Sequence, residues 1–133
     1  MKMSYVRLVV GISLLTVVAL ASCDLFGSDD GVSRDERRDT FLAQVRAGQY
    51  DRLNGNMHPD VRVAEANTEN YWIAELGAKG GWEFQVVSTT LVNVTAGPVP
   101  ANSTLTFTYG SRGDDYYFTS ISLNGDQIAP PTN

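Results

Sequence analysis

The 133-residue chain sets ten Lys and Arg against fifteen Asp and Glu, with one histidine, one cysteine and a net charge of −5. That length fits one domain. A single cysteine excludes an intrachain disulfide, and an acidic balance excludes a nucleic-acid partner, whose phosphates demand a basic face.

The first seven residues carry Lys2 and Arg7 and no acid. Leu8 to Leu20 then run without a charge, followed by the small residues Ala21 and Ser22. This is the three-part layout of a cleaved secretory leader. The apolar run falls short of the ~20 residues an ordinary spanning helix needs. Removal of residues 1–22 leaves 111 residues with 8 basic and 15 acidic side chains, a charge of −7. Such a chain has no polybasic stretch with which to hold anionic lipid. Leu20-Ala21-Ser22-Cys23 resembles the lipobox of bacterial lipoproteins at every position. The resemblance implies cleavage between Ser22 and Cys23, a diacylglyceryl thioether on Cys23 and acylation of the new N-terminus. Two or more acyl chains anchor stably where one does not. The same resemblance implies a bacterial cell-envelope protein, lipid-anchored to the inner or outer membrane with its domain facing the periplasm. Asp24 leaves the choice of membrane open.

Asp24 to Ser33 is rich in Gly, Ser and Asp and lacks periodicity, which predicts a flexible tether over residues 23–33. Asp24, Asp29 and Asp30 lack the regular ligand spacing and closing Glu of a calcium loop. Ser33 and Glu36 fit a capping box opening a helix over 34–47, with Phe41, Leu42 and Val45 as its apolar stripe and Gly48 as its stop. Gln49 to Asn54 predicts one further turn with Tyr50 and Leu53 inward. Met57-His58-Pro59-Asp60 is a break, and Val61 and Val63 alternate with Arg62 as a short strand. Asn67 caps a third helix to about Leu76, ended by Gly77, Gly80 and Gly81.

From Trp82 to Thr95 the alternation predicts one long strand, bent near Ser88–Thr90. A Pro-containing loop follows over 96–102. Thr104 to Tyr109 alternates with Leu105, Phe107 and Tyr109 inward. Ser111 to Asp114 reads as a turn, so Arg112-Gly113-Asp114 is turn chemistry before it is a recognition tripeptide. Tyr116 to Leu123 predicts a third long strand with Tyr117, Ile121 and Leu123 on one face, which turns Tyr116 and Phe118 outward as a partner surface. Asn124-Gly125 is a hairpin turn, and residues 129–133 form a loose tail beyond a domain of residues 34–128. The sequons at Asn93 and Asn102 read as coincidence in an envelope protein.

Helices ahead of an antiparallel sheet predict an α+β fold with the helices on one face. The order, together with Phe41, Ala47-Gly48-Gln49-Tyr50, Leu53 and Met57-His58-Pro59-Asp60, resembles the NTF2-like (SnoaL-like, cystatin-like) superfamily, a curved sheet wrapped around helices as a cone. Enzymes of that superfamily imply Asp60 or His58 as a general base in the cone, in an isomerase- or cyclase-type reaction. Phe41 stands where a Tyr donor would help such chemistry. His58 is the only histidine, so no His-paired metal site is expected, and the one cysteine is committed to lipid. A His before Pro more often caps a turn. The sequence predicts no catalytic set, metal or cofactor. The leading expectation is a non-catalytic envelope module that binds a protein partner or a small apolar ligand, with His58, Asp60, Tyr116 and Phe118 as its surface or pocket residues. The alternatives are the cone enzyme and an inhibitor or immunity-type lipoprotein that covers an enzyme with the Tyr116–Phe118 surface and the 111–114 turn.

Overall fold

The computed structural model describes residues 31–132. The leader, the lipobox with Cys23 and the tether as far as Asp30 lie outside the described residues. Among those described, no helix is long and apolar enough to cross a membrane.

Helix α1 is Arg34–Ala47. The Ser33 side chain accepts from the Glu36 N–H at 3.1 Å and the Glu36 carboxylate accepts from the Ser33 N–H at 2.8 Å, which is the capping box the sequence predicts. Gly48 closes the helix at φ +75, the left-handed position that suits glycine. The expected further turn is a 3-10 helix, Tyr50–Asn56, with Tyr50 and Leu53 fully buried. Helix α2 is Glu69–Leu76. Thr68 caps it in place of Asn67, because Asn67 Oδ1 accepts from Asn54 Nδ2 at 2.8 Å instead.

The expected strand at Val61–Val63 does not form. Pro59–Val61 is a 3-10 turn started by Pro59 and capped by His58, and Val63 is exposed. The Val63 carbonyl goes to Asn54 Nδ2 at 3.2 Å rather than to a sheet.

The sheet has five antiparallel strands in sequence order, an open meander: β1 Glu83–Val86, β2 Leu91–Ala96, β3 Ser103–Arg112, β4 Asp115–Leu123 and β5 Asp126–Ala129. The single long strand expected over 82–95 is instead a hairpin. The Val87 and Ser88 N–H groups both donate to the Leu91 carbonyl at 3.0 Å. Ser88 Oγ takes the Thr90 N–H at 3.3 Å, so a serine side chain closes a reversal that has no Gly, Pro or Asn. At the other end of the meander, Asn124 (φ 52) and Gly125 (φ 90) make the expected two-residue turn, and β5 carries the packed chain one residue past the expected boundary, to Ala129.

Both helices lie on one face of this sheet. Phe41 of α1 meets Trp72 of α2 at 6.1 Å, Phe107 of β3 at 5.7 Å and Phe118 of β4 at 5.5 Å between ring centroids. Val92, Val94, Leu105 and Ile121 complete the inner face and are almost wholly buried. Thr106 and Thr108 face solvent on the other side. The α+β architecture with helices on one sheet face is therefore as expected.

One face assignment is reversed. Thr108 pairs with Ser120 but Tyr109 pairs with Phe118, so Thr119 is an extra residue in β4. This bulge shifts the alternation by one. Phe118 and Ile121 both point inward, and Tyr117 points to the other face. Gly110, opposite, leaves room for the bulge, since a Cβ there would lie 2.8 Å from Thr119 Cγ2.

Two half-buried tyrosines make long-range hydrogen bonds, Tyr71 from α2 to β5 and Tyr109 from β3 to the β1–β2 turn. Tyr71 donates its hydroxyl to the Ile128 carbonyl, and Tyr109 to the Thr89 carbonyl at 2.6 Å. Burial pushes both hydroxyls up to about 12, against about 10 in an unfolded chain. Each therefore contributes stability that is complete below pH ~10 and lost as pH rises toward ~12. The unfolding free energy from urea titrations is expected to be level up to pH ~10 and then to fall. Tyr71→Phe should remove part of that fall, and an unchanged alkaline slope in Tyr71→Phe would count against the assignment.

Candidate functional site

The sequence singles out His58, Asp60, Tyr116 and Phe118, and the structure brings their backbones together at the start of β4. The edge of β4 there is covered on two levels. Tyr116 N–H donates to the Val32 carbonyl at 2.8 Å, and the Val32 N–H donates to Asp115 Oδ1 at 2.8 Å. His58 N–H donates to the Phe118 carbonyl at 2.7 Å, within a parallel bridge between Met57 and Phe118. Val32 and Ser33 thus belong to the domain and not to the tether. An edge strand that would otherwise offer free backbone groups is closed.

The side chains separate. Phe118 has no exposed surface and stacks on Phe107 at 4.7 Å. The expected outward pair Tyr116–Phe118 is therefore not formed, and Phe118 is withdrawn from any partner by the bulge at Thr119. Tyr116 and Tyr117 stay half-buried at the surface.

His58 is a turn residue. Its Nδ1 accepts from the Asp60 N–H at 3.1 Å, which requires a lone pair there. The proton of the neutral ring then sits on Nε2, which donates to the Ser111 carbonyl at 3.1 Å. Both ring nitrogens are committed to backbone, so neither is aimed at a substrate. The Asp60 side chain is 78% exposed, 3.7 Å from His58 Nδ1 and 3.9 Å from Arg112 Nη1. His58→Ala is expected to cost about 1–2 kcal/mol for the two lost hydrogen bonds, and Asp60→Asn less than about 0.5 kcal/mol as a surface change. Urea unfolding of both variants checks this; an equal cost for the two would contradict the assignment.

Three arginines that sequence reasoning did not single out surround this edge. Arg37 Cζ lies 4.3 Å and Arg62 Cζ 5.5 Å from the Tyr117 ring centroid, and Arg34 Cζ lies 4.9 Å from that of Tyr116. Arg37 comes from the first turns of α1 and Arg62 from the segment after the His58 turn. Burial lowers the Arg37 guanidinium from its ordinary value, opposed by Tyr117 and Asp115 and reinforced by the like charge of Arg62. No spacing in the sequence signals this cluster, because 25 positions separate the two arginines and the fold alone joins them.

A second feature, a shallow cleft, lies beside α1, lined by Ser33, Arg34, Asp35, Thr89 and Thr90. Its polar groups largely satisfy one another. Thr89 Oγ1 donates to Asp35 at 2.8 Å, and Arg38 bridges Asp35 and Asp39 at 2.9 Å each. Among the described residues no group of three or more His, Cys, Asp or Glu is placed to hold a metal ion. Trp72, Trp82 and Phe107 are buried in the core, and Phe84 and Tyr109 pack half-buried against it. Comparison with protein-family models, with curated proteins and with solved structures gave no match.

Proposed function

We propose that this chain is a bacterial envelope lipoprotein, lipid-anchored through Cys23 to the inner or outer membrane, whose periplasm-facing domain is a non-catalytic binding module. The observation that carries the anchor is the lipobox Leu20-Ala21-Ser22-Cys23 at the end of a leader with two basic residues and an uncharged apolar run. Binding, as opposed to chemistry, is supported by the site residues. His58 spends both ring nitrogens on backbone, and the Asp60 carboxylate stands in solvent. A surface partner is supported over an apolar ligand held inside the fold, because Phe41, Trp72, Phe107 and Phe118 fill the space between helices and sheet with one another. The finer fold reading is NTF2-like, supported by a capped helix leading through Gly48 and the His58-Pro59-Asp60 turn into an antiparallel meander.

The test of the anchor is metabolic labelling with palmitate. The wild-type chain is expected to take up label and to fractionate with membranes. Cys23→Ala is expected to lose the label and normal maturation. A Cys23→Ala protein that stays membrane-bound and is still processed at residue 23 would overturn the reading.

A further inference from the structure

Arg37 and Arg62 converge on one ring, that of Tyr117, although their charges repel. Both are held in place by hydrogen bonds. Arg37 Nε donates to the Tyr116 carbonyl at 2.8 Å and its Nη1 to Asn56 Oδ1 at 3.3 Å. Arg62 Nε donates to the Met57 carbonyl at 2.8 Å and its Nη2 to the Gly55 carbonyl at 2.9 Å. The Tyr117 side chain also hydrogen-bonds the Arg37 guanidinium, while Arg62 Nη1 has no acceptor among the described residues.

Among the described residues neither arginine forms a salt bridge. Arg38, one residue from Arg37, is by contrast bridged to two aspartates, Asp35 and Asp39. Two fixed like charges, with Asp115 as the one described carboxylate acting on Arg37 and its Oδ1 already engaged by the Val32 N–H, repel each other, and an anion joining them would offset the repulsion. One guanidinium can satisfy the two oxygens of a carboxylate, whereas two guanidinium groups at one site suit a group with more acceptor oxygens and more charge, as a phosphate has.

We propose that Arg37 and Arg62 form a binding site for a phosphate group, carried by an anionic lipid headgroup or free in solution. The lipid source rests on the membrane attachment proposed above; the phosphate site itself does not. Val32, which pairs with Tyr116 at this edge, follows Cys23 by nine residues, at most ~30 Å of extended chain.

The experiment uses the full chain in non-ionic detergent micelles at constant ionic strength, reading the arginine Nε–Hε signals by NMR. Inorganic phosphate is titrated in one arm. In the other, phosphatidylglycerol or phosphatidylcholine is mixed into the micelles. The Arg37 and Arg62 signals are expected to shift together and to saturate. Arg62→Gln should weaken the response about tenfold or more. Arg62→Lys, which keeps the charge but loses the fork, should weaken it less. Arg46→Gln, a change of the same charge far from the cluster, should leave it intact. Saturation with phosphatidylglycerol but not phosphate assigns the site to a headgroup, and the reverse assigns it to free phosphate. No saturable shift in either arm overturns the proposal, as does equal weakening by Arg46→Gln and Arg62→Gln. Cys23→Ala is expected to keep the response, so a failed anchor and a failed phosphate site are told apart.

Discussion

Phe118→Ala is expected to be among the most damaging single changes in the domain, costing about 3–5 kcal/mol. The ring has no exposed surface. It stacks on Phe107 at 4.7 Å, lies 5.3 Å from Tyr109 and stands edge-on to Phe41 at 5.5 Å. Removing it opens a cavity where α1 rests on β3 and β4, and rings packed on three sides cannot readily collapse into the gap. For a domain of this size the melting temperature should drop by more than about 10 °C. Urea unfolding followed by Trp72 and Trp82 fluorescence measures the loss. Tyr116→Ala, two residues earlier and half-exposed, should cost about 1 kcal/mol. If Phe118 instead faced solvent, its substitution would change stability by no more than about 0.5 kcal/mol.

Gly97→Ala is expected to cost about 2–5 kcal/mol, from two additive sources. The backbone there has φ +149, a conformation that side chains rarely adopt. An added Cβ would also lie 2.9 Å from Cε3 and 3.1 Å from Cδ2 of Trp82. That indole cannot move aside freely. It is 2% exposed, and its Nε1 donates to the Tyr50 hydroxyl at 2.8 Å, which in turn donates to the Ala78 carbonyl at 3.2 Å. Gly113→Ala is the comparison. It carries positive φ (+64) but has open space around it, so it should cost about 1–2 kcal/mol from backbone strain alone. Thermal melts of both variants check the difference, and equal losses would contradict the role given to Trp82.

Much of the fold is legible because local chemistry and tertiary structure agree. The capping box at Ser33 and Glu36, the stop at Gly48 and the turn at Asn124-Gly125 each name their own geometry, and the buried faces of α1 and β3 follow their apolar spacing. The errors have physical causes. Alternation cannot distinguish a bent strand from a hairpin when the reversal is built from Val87, Ser88, Thr89 and Thr90, none of which is a strong turn former. A one-residue bulge at Thr119 exchanges the two faces of half a strand, and nothing in Tyr-Tyr-Phe-Thr-Ser announces it. Val61 and Val63 alternate as a strand would, but Pro59 and the His58 side chain commit that segment to a 3-10 turn. The site is less legible than the fold. His58 and Asp60 are recognisable as residue types, while the convergence of Arg37 and Arg62 on Tyr117 exists only after α1, the His58 turn and β4 have packed.

The central claim is that Cys23 bears lipid and forms the mature N-terminus. It is tested most directly by mass spectrometry of the N-terminal peptide from protein extracted from native membranes. The predicted result is a peptide that begins at Cys23 and carries a diacylglyceryl group and an N-linked acyl chain. A peptide that begins upstream of Cys23, or one with an unmodified cysteine, would contradict it.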